Sequence, residues 1–303
     1  MPAPTVREGI WRLADPKISL ASFSGMALGA AAAAVDGPIA WGWLGLTVAG
    51  SFAIEVAKNA SGEVVDFDHG VDQAVTEADR SPFSGGKRVL VERLLTRGET
   101  VGIAWVSYAV GIMAGLLIVA AREPGVLWIG VAGVGLAYFY HAAPFRLSYR
   151  GLGEVAVAVV YGPLVCAGTY LVQRGTVSSD VLWLSLPLAL LIGGFLLINE
   201  FPDYLADQSA GKRTLVVRLG RRRASRAFAG IVLVTSLLMV LLPLILVPRG
   251  ALLGAFAILP ATAASRTLLA TPEETRRIIP AQVRTLQSFV LYAVAAGAGL
   301  LLF

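Results

Sequence analysis

Apolar segments of close to 20 residues recur along the whole chain and constrain its fold more than any other feature. A helix of that length crosses the hydrocarbon core of a bilayer, and helices satisfy their own backbone groups in lipid. Of the 303 residues, 56% are hydrophobic and only 15% are charged, which excludes an ordinary soluble domain. The sequence therefore predicts an all-α, polytopic membrane protein. Nine spans are predicted, at residues of about 18–35, 40–58, 101–121, 126–143, 154–173, 181–199, 227–247, 251–269 and 283–303.

The linkers between the predicted spans differ sharply in basic residues. Four of them hold only Arg122, Arg174 and Arg249, and the remaining 22 of the 25 Lys and Arg residues lie before the first span or in the other four. Basic loops stay in the cytoplasm. We therefore expect a cytoplasmic N-terminus, an external C-terminus and a place in the cell (plasma) membrane. The two long linkers, 59–100 and 200–226, are cytoplasmic in this topology, so an active site there would face the cytoplasm.

Polar side chains recur at helical spacing where the sixth predicted span ends. Asn199, Asp203 and Asp207 are four residues apart, so they lie along one stripe of a helix. Lys212 and Arg213 follow at once. Mg²⁺ binds carboxylate, water and phosphate oxygens, and Lys and Arg bind phosphate. These residues predict a site for a metal-bound phosphate compound at the membrane surface.

The first long linker repeats this order of residues. Asn59, Glu63 and Asp66 share one helix face, and Asp72 follows Gly70. We interpret the two linkers as weakly duplicated half-sites that face each other and hold Mg²⁺ ions bridged by a diphosphate. A solvated, charged helix end is the alternative, but ionisable groups at a membrane edge are costly and usually functional. The candidate metal ligands are Asn59, Glu63, Asp66, Asp72, Asn199, Asp203 and Asp207.

Two pairs of bases follow the acids, one pair in each long linker. Lys87 and Arg88 follow two glycines, and Lys212 and Arg213 follow one. We expect both pairs to contact diphosphate oxygens, Arg as a two-pronged donor and Lys as a point charge. Anchoring of the protein at the cytoplasmic surface is the alternative role for these bases.

The end of the fourth predicted span is a third candidate site. Tyr140 and His141 precede Pro144, which ends or bends the helix, and Arg146 follows in a short turn. Interfacial tyrosines are common without any function, and a lone histidine is usually only hydrogen-bonded. No cluster of His and Cys in the sequence indicates a zinc site.

Four of these segments together resemble the UbiA superfamily of intramembrane prenyltransferases. NEFPDYLADQSAGKRTLVVRLG (199–220) is similar to the second Asp-rich motif of that family, and EVVDFDHGVD (63–72) is similar to the first. YHAAPFRLSYRGLGE (140–154) and SPFSGGKRVL (81–90) resemble the branch that prenylates 1,4-dihydroxy-2-naphthoate. The resemblance covers nearly the whole chain.

The resemblance implies a single domain over residues 1–303, a bundle of nine helices around a central cavity. It implies Mg²⁺-dependent transfer of a polyprenyl group from its diphosphate to 1,4-dihydroxy-2-naphthoate in menaquinone biosynthesis, with loss of CO₂. The implied partners are these two substrates and the lipid bilayer, with no nucleic acid. Arg146 is a candidate for binding the acceptor's carboxylate. The catalytic residues implied are Asp66, Asp72, Asp203, Asp207, Tyr140 and Arg146.

One position departs from the family pattern, and several alternatives stay open. Gly62 stands where the family has Asn, four residues before Asp66, and the nearby candidates for its role are Asn59 and Glu63. The acidic motifs do not select the acceptor, so 4-hydroxybenzoate, another quinone ring, protohaem and a lipid remain alternatives. A transporter is the distant alternative, since intramembrane acids and repeats are also transporter features.

Overall fold

The computed structural model describes residues 5–303, and this part of the chain is helical without a β-strand. The first half contains α1 (Val6–Ala14), α2 (Pro16–Val35), α3 (Trp41–Asp68), α4 (Val71–Ala74), α5 (Arg97–Ala121) and α6 (Val126–Phe139). The second half contains α7 (Gly153–Val159), α8 (Val165–Arg174), α9 (Ser179–Ser209), α10 (Leu215–Leu219), α11 (Arg221–Ile245), α12 (Ile258–Ala270) and α13 (Thr275–Leu302). A π-helical turn at Val160–Leu164 joins α7 to α8, and a 3₁₀ segment at Arg249–Ala257 leads into α12.

Seven helical segments within residues 5–303 are long and apolar enough to cross a membrane, so the all-helical, membrane-embedded fold is confirmed. Two of the nine predicted spans differ from these seven. Helix α3 carries Glu55 and Lys58 within its predicted span, and α6 is apolar but only 14 residues long. The count of nine spans and the orientation of the chain therefore remain predictions. The seven segments are Val6–Val35, Arg97–Ala121, Gly153–Arg174, Ser179–Ser209, Arg221–Ile245, Arg249–Ala270 and Thr275–Leu302.

Helix α9 lies at the centre of the bundle. It packs against α2, α7, α11 and α13, and Leu188, Ile192 and Phe195 are buried in these contacts. Its 31 residues run on from this apolar part through the stripe of Asn199, Asp203 and Asp207. Packing of the apolar part therefore fixes where the polar stripe emerges.

Helix α3 has the same two-part construction. Its N-terminal part packs against α5, and its last turns carry Glu63 and Asp66 before the helix ends at Asp68. Gly70 then adopts a left-handed conformation with φ of 76°, which turns the chain into the short helix α4. The acids of both long linkers thus lie on helices that continue directly from the bundle, as their spacing predicts.

The rest of the first long linker folds back over this end of the bundle. Lys17 donates a hydrogen bond to the carbonyl of Pro82 (2.6 Å), and Arg12 donates one to Glu92 (2.8 Å). Glu63 accepts a hydrogen bond from the backbone N–H of Leu90 (2.9 Å). These bonds tie the loop both to the N-terminal helices and to α3, so the loop forms one wall of a cavity.

Candidate active site

A polar cavity of about 530 Å³ lies between the ends of α3 and α9 and is closed on one side by the 81–90 loop. Both long linkers contribute to its wall, so the two half-sites predicted from the sequence do face each other. Ten of the predicted or considered residues line it directly. They are Asp66, Asp72, Lys87, Arg88, Tyr140, His141, Asn199, Asp203, Asp207 and Lys212, and Asn59 and Glu63 line the cavity as well.

Lys212 joins the two half-sites. Its Nζ lies 3.4 Å from Asp66 Oδ2 on α3 and 3.7 Å from Asp207 Oδ1 on α9. Burial alone would lower the pKa of Lys212, but the carboxylates of Asp207 and Asp66 outweigh burial and raise the pKa well above its usual value. Lys212 therefore stays charged and offsets part of the negative charge of the cavity.

Asp72 lies against the backbone of the 81–90 loop. Its side chain is almost fully buried, and burial together with the charges of Asp66 and Glu63 raises the pKa of Asp72 to about 8. Gly86 has a φ of 73°, and a Cβ at that position would overlap the Asp72 carboxylate. The loop can approach this carboxylate only because residue 86 has no side chain.

Tyr149 is a functional candidate that the sequence reasoning missed. Its hydroxyl donates a 2.6 Å hydrogen bond to Asp66 Oδ1, and its ring lies under Lys212 Nζ at 5.4 Å. Burial and the charge of Asp66 raise the pKa of the Tyr149 hydroxyl, so it remains a donor. The only signal in the sequence was an aromatic residue in the turn after Arg146.

The predicted phosphate-binding bases are placed unequally. Lys87 and Arg88 line the cavity, Lys87 paired with Asp15 and Arg88 donating to the carbonyl of Asp72 (3.0 Å). Arg213 is exposed, and neither it nor Arg146 lines the cavity. The guanidinium of Arg146 instead lies over the outer face of the Tyr149 ring, 5.9 Å from its centroid.

Asn59 and Glu63, the first polar residues of the first motif, have partners in the fold. Asn59 donates its side-chain N–H to the carbonyl of Leu13 (2.9 Å), and one Glu63 oxygen accepts from Leu90. The other Glu63 oxygen is buried without a hydrogen-bond partner among the described residues, and both side chains line the polar cavity together with Asp66 and Asp72.

Gly62, the departure from the family motif, is covered by a histidine. A Cβ at residue 62 would lie 2.5 Å from His141 Nε2, so the imidazole fills the space that a side chain there would take. Ser148 Oγ donates its hydrogen to the carbonyl of Tyr140 (2.8 Å). The same Oγ can therefore only accept a hydrogen bond from His141 Nδ1, which lies 3.4 Å away. The network therefore assigns the proton to Nδ1.

The cavity offers free oxygens suited to a hard cation. One oxygen each of Glu63, Asp72, Asn199 and Asp203 is buried without a hydrogen-bond partner among the described residues, and Asp207 Oδ1 has only the 3.7 Å charge contact with Lys212. Unpaired buried carboxylate oxygens are costly, and cation binding relieves that cost. Within residues 5–303, no three His, Cys, Asp or Glu side chains converge on one point. Mg²⁺ takes one or two protein carboxylates and completes its shell with water and phosphate oxygens, so these oxygens would hold it together with a bound diphosphate.

A second, apolar cavity of about 600 Å³ opens beside the polar one. It runs between α3, α5, α6 and the α7–α8 segment and is lined largely by small and aliphatic side chains. Lys58 and Tyr140 line both cavities and mark their junction. The site can therefore accept a molecule with a polar, anionic head and a long apolar tail.

The sequence matches the model of the UbiA prenyltransferase family over residues 23–286. The chain belongs to the UbiA prenyltransferase family. The family assignment made from the Asp-rich motifs is thus confirmed, and with it the membership of a family of prenyl-transferring enzymes. The chain is 27% identical to 1,4-dihydroxy-2-naphthoate octaprenyltransferase of Bacillus subtilis over 71% of its own length and 67% of that protein. It is 32% identical to 2-carboxy-1,4-naphthoquinone phytyltransferase of Synechocystis over 58% of its length and 54% of that protein.

Solved UbiA homologues share the fold of this family member. A homologue from Aeropyrum pernix superposes with a TM-score of 0.66 at 19% identity, covering 94% of this chain and 98% of that one. A homologue from Archaeoglobus fulgidus, bound to DMAPP and Mg²⁺, gives 0.65 at 14% identity, covering 95% and 99%. The agreement extends over nearly the whole of each chain, so the bundle is that of the family.

Proposed function

We propose that this UbiA family member transfers a polyprenyl group from polyprenyl diphosphate to 1,4-dihydroxy-2-naphthoate. The observation that carries the proposal is the joined pair of cavities. The polar one holds acids from both long linkers with three of the four predicted phosphate-binding bases, and the apolar one begins where Lys58 and Tyr140 line both cavities. A diphosphate suits the first, and a polyprenyl tail suits the second.

The residues of the polar cavity have distinct roles in this reaction. Asp66, Asp72, Asn199, Asp203 and Asp207 are the proposed holders of Mg²⁺, and Asn59 and Glu63, which line the same cavity, remain candidates beside them. When bound, Mg²⁺ supplies positive charge that stabilises the leaving diphosphate. Lys87, Arg88 and Lys212 are proposed to contact the diphosphate oxygens directly and to stabilise the same charge. Arg213 and Arg146 do not line the cavity. We propose that they only stabilise the neighbouring turns.

Bond breaking is assigned to the junction of the cavities. There the allylic C–O bond breaks, and its electron pair leaves with the diphosphate. The Tyr140 ring lies at this point and can stabilise the allylic cation through its π face. An electron-rich carbon of the acceptor ring forms the new C–C bond, and CO₂ departs while its bonding pair returns to the ring. The apolar walls keep water from the cation.

The naphthoate is favoured among acceptors by the relatives' names. Proteins from Bacillus subtilis and Mycobacterium tuberculosis, 27% and 29% identical to this chain, are both named 1,4-dihydroxy-2-naphthoate octaprenyltransferase. The active site is proposed to face the cytoplasm from the cell (plasma) membrane, because 22 of the 25 basic residues lie in the predicted cytoplasmic segments, which include both linkers that form the site.

Product formation in nanodiscs tests the proposal. A labelled polyprenyl diphosphate is incubated with Mg²⁺ and either 1,4-dihydroxy-2-naphthoate or 4-hydroxybenzoate, each with an EDTA control. We expect metal-dependent prenylation of the naphthoate with release of CO₂. Transfer only to 4-hydroxybenzoate would replace the acceptor, and absence of transfer to any aromatic ring would refute the proposal.

A further inference from the structure

Two ionisable side chains lie below the acidic site, at the point where the polar and apolar cavities meet. Glu55 and Lys58 are three residues apart on α3, so they share one face of the helix. Glu55 lines the apolar cavity and is 6% exposed. Lys58 lines both cavities.

Neither side chain has a close partner among residues 5–303. Both carboxylate oxygens of Glu55 are buried and no hydrogen bond of normal geometry reaches them, although the hydroxyls of Ser19, Ser22 and Tyr161 and the charge of Lys58 lie nearby. In the same part of the chain no ion pair forms at Lys58, whose ammonium lies over the Tyr140 ring at 5.6 Å from its centroid. Unpaired ionisable groups at membrane depth are expensive and are usually there for a ligand.

The ligand that fits must carry both an anion and a hydroxyl on an apolar body. An ammonium binds a carboxylate, and a carboxylate accepts a hydrogen bond from a hydroxyl. A diphosphate fits less well, because it carries more negative charge beside Glu55 and brings no ring hydroxyl that could donate a hydrogen bond to that carboxylate. A hydroxylated aromatic acid satisfies both groups at once.

We propose that Glu55 and Lys58 form the acceptor subsite, in which Lys58 binds the carboxylate of the aromatic acid and Glu55 accepts a hydrogen bond from its ring hydroxyl. The inference rests on the proposed function and adds the residues that select the acceptor. It moves the carboxylate partner from Arg146, which does not line either cavity, to Lys58. Accepting a hydrogen bond from the hydroxyl raises the electron density of the ring and thereby its nucleophilicity.

Binding of two matched acceptors tests the subsite without any turnover. 1,4-dihydroxy-2-naphthoate and 1,4-dihydroxynaphthalene, which lacks the carboxylate, are titrated into the full-length protein in nanodiscs under anaerobic conditions. For Lys58→Met we expect about 10- to 100-fold weaker binding of the naphthoate, because one charge-assisted hydrogen bond is lost. Binding of the diol, which has no carboxylate, should change little. Lys58→Arg should restore most of the difference. Glu55→Gln should weaken both ligands about 10-fold, because both keep the hydroxyl.

Kinetics and a control variant separate this inference from competing explanations. The KM for the acceptor should rise in Lys58→Met while that for the polyprenyl diphosphate stays within about twofold, and Arg146→Gln should leave naphthoate affinity unchanged. A rise in the diphosphate KM alone, or equal losses for both acceptors in Lys58→Met, would overturn the subsite.

The failure of the subsite is distinguishable from that of the proposed function. If the wild type prenylates the naphthoate and Lys58→Met binds it normally, the subsite is wrong and the function stands. If the wild type selects another aromatic acid over its decarboxylated analogue through Lys58, the subsite stands and the naphthoate is wrong. A wild type that binds no aromatic acid overturns both.

Discussion

Lys212 Nζ lies 3.4 Å from Asp66 Oδ2, although the two residues are 146 positions apart in the chain. This contact joins the two acidic motifs across the bundle. It places a permanent positive charge between carboxylates that would otherwise repel each other. The same charge is available to the phosphate head of a bound substrate.

Replacing Lys212 by Met should destabilise the metal-free protein and remove most of its activity. Removal of one partner from a largely buried ion pair leaves an uncompensated charge, at a cost of about 3 kcal/mol. Thermal unfolding with EDTA and with Mg²⁺ measures the first effect, and we expect Mg²⁺ to recover more stability in this variant than in the wild type. Lys212→Arg is the control, since it keeps the charge. Wild-type stability of Lys212→Met in EDTA would contradict the role given to this lysine.

Asp66 and Asp68 lie two residues apart and form a matched pair for mutation. Asp66 lines the polar cavity, whereas Asp68 is exposed and paired with Arg97 (2.8 Å) outside it. Asp66→Asn should lower prenyl transfer roughly 1,000-fold, because a charged ligand of the metal-binding wall is lost. Asp68→Asn should stay within about twofold, since a surface ion pair contributes little. Both variants should keep the wild-type circular dichroism spectrum, and similar activities for the two would refute the assignment.

Gly86→Ala should impair the site through the backbone. The left-handed φ of 73° is unfavourable for alanine, and the new Cβ would collide with the Asp72 carboxylate. We expect a loss of stability of about 1 to 3 kcal/mol and a raised KM for the diphosphate. Gly102→Ala is the control, since this glycine lies within helix α5 and its Cβ meets no atom within 4 Å. That control should be neutral or slightly stabilising, and equal behaviour of the two variants would show that the loop readily moves away.

Tyr149→Phe removes one hydroxyl and keeps the ring. The lost bond is the 2.6 Å donation to Asp66, and a hydrogen bond to a charged group contributes about 1.5 to 3 kcal/mol. We expect roughly 10-fold lower transfer, measured with both substrates saturating. Tyr204→Phe serves as the comparison, because Tyr204 lines neither cavity and its ring lies under the guanidinium of Arg221, 4.9 Å from the ring centroid. An equal loss in that variant would show that the effect does not come from the bond to Asp66.

The predicted orientation can be measured with a simple cysteine background. The natural cysteine, Cys166, is fully buried, so Cys166→Ala provides a chain without a thiol. Gln208→Cys lies in the second long linker and Thr176→Cys lies in a short linker between α8 and α9. A membrane-impermeant maleimide added to intact cells should label Thr176→Cys and spare Gln208→Cys until the cells are opened. The reverse pattern would invert the topology.

Much of the fold and part of the site could be predicted from local patterns. The membrane helices could be predicted because the length of an apolar segment is read directly from neighbouring residues. Helix α3 is the exception, since Glu55 and Lys58 interrupt its apolar segment. The spacing of Asn199, Asp203 and Asp207 placed them on one helix face, as the structure has them. The family was recognisable from the same motifs.

Contacts across the bundle decided the rest. Asn59 and Glu63 have the residue types of metal ligands, and the sequence could not show that α1 would accept a hydrogen bond from Asn59 or that the 81–90 loop would donate one to a Glu63 oxygen. Arg146 follows the segment of Tyr140 and His141, which line the polar cavity, yet Arg146 itself lines neither cavity. Such outcomes depend on which elements pack together.

The sequence by itself determined the membrane-embedded helices, the two acidic stripes and the membership of the UbiA family, because each is written in short-range spacing and residue type. Only the tertiary structure decided that Lys212 bridges Asp66 and Asp207, that Tyr149 reaches Asp66, and that Glu55 and Lys58 meet at the mouth of the apolar cavity. The first two relationships join residues from distant segments of the chain, and the third depends on which helices pack beside α3. Their distances follow from how apolar surfaces far from the site pack, which no local spacing encodes.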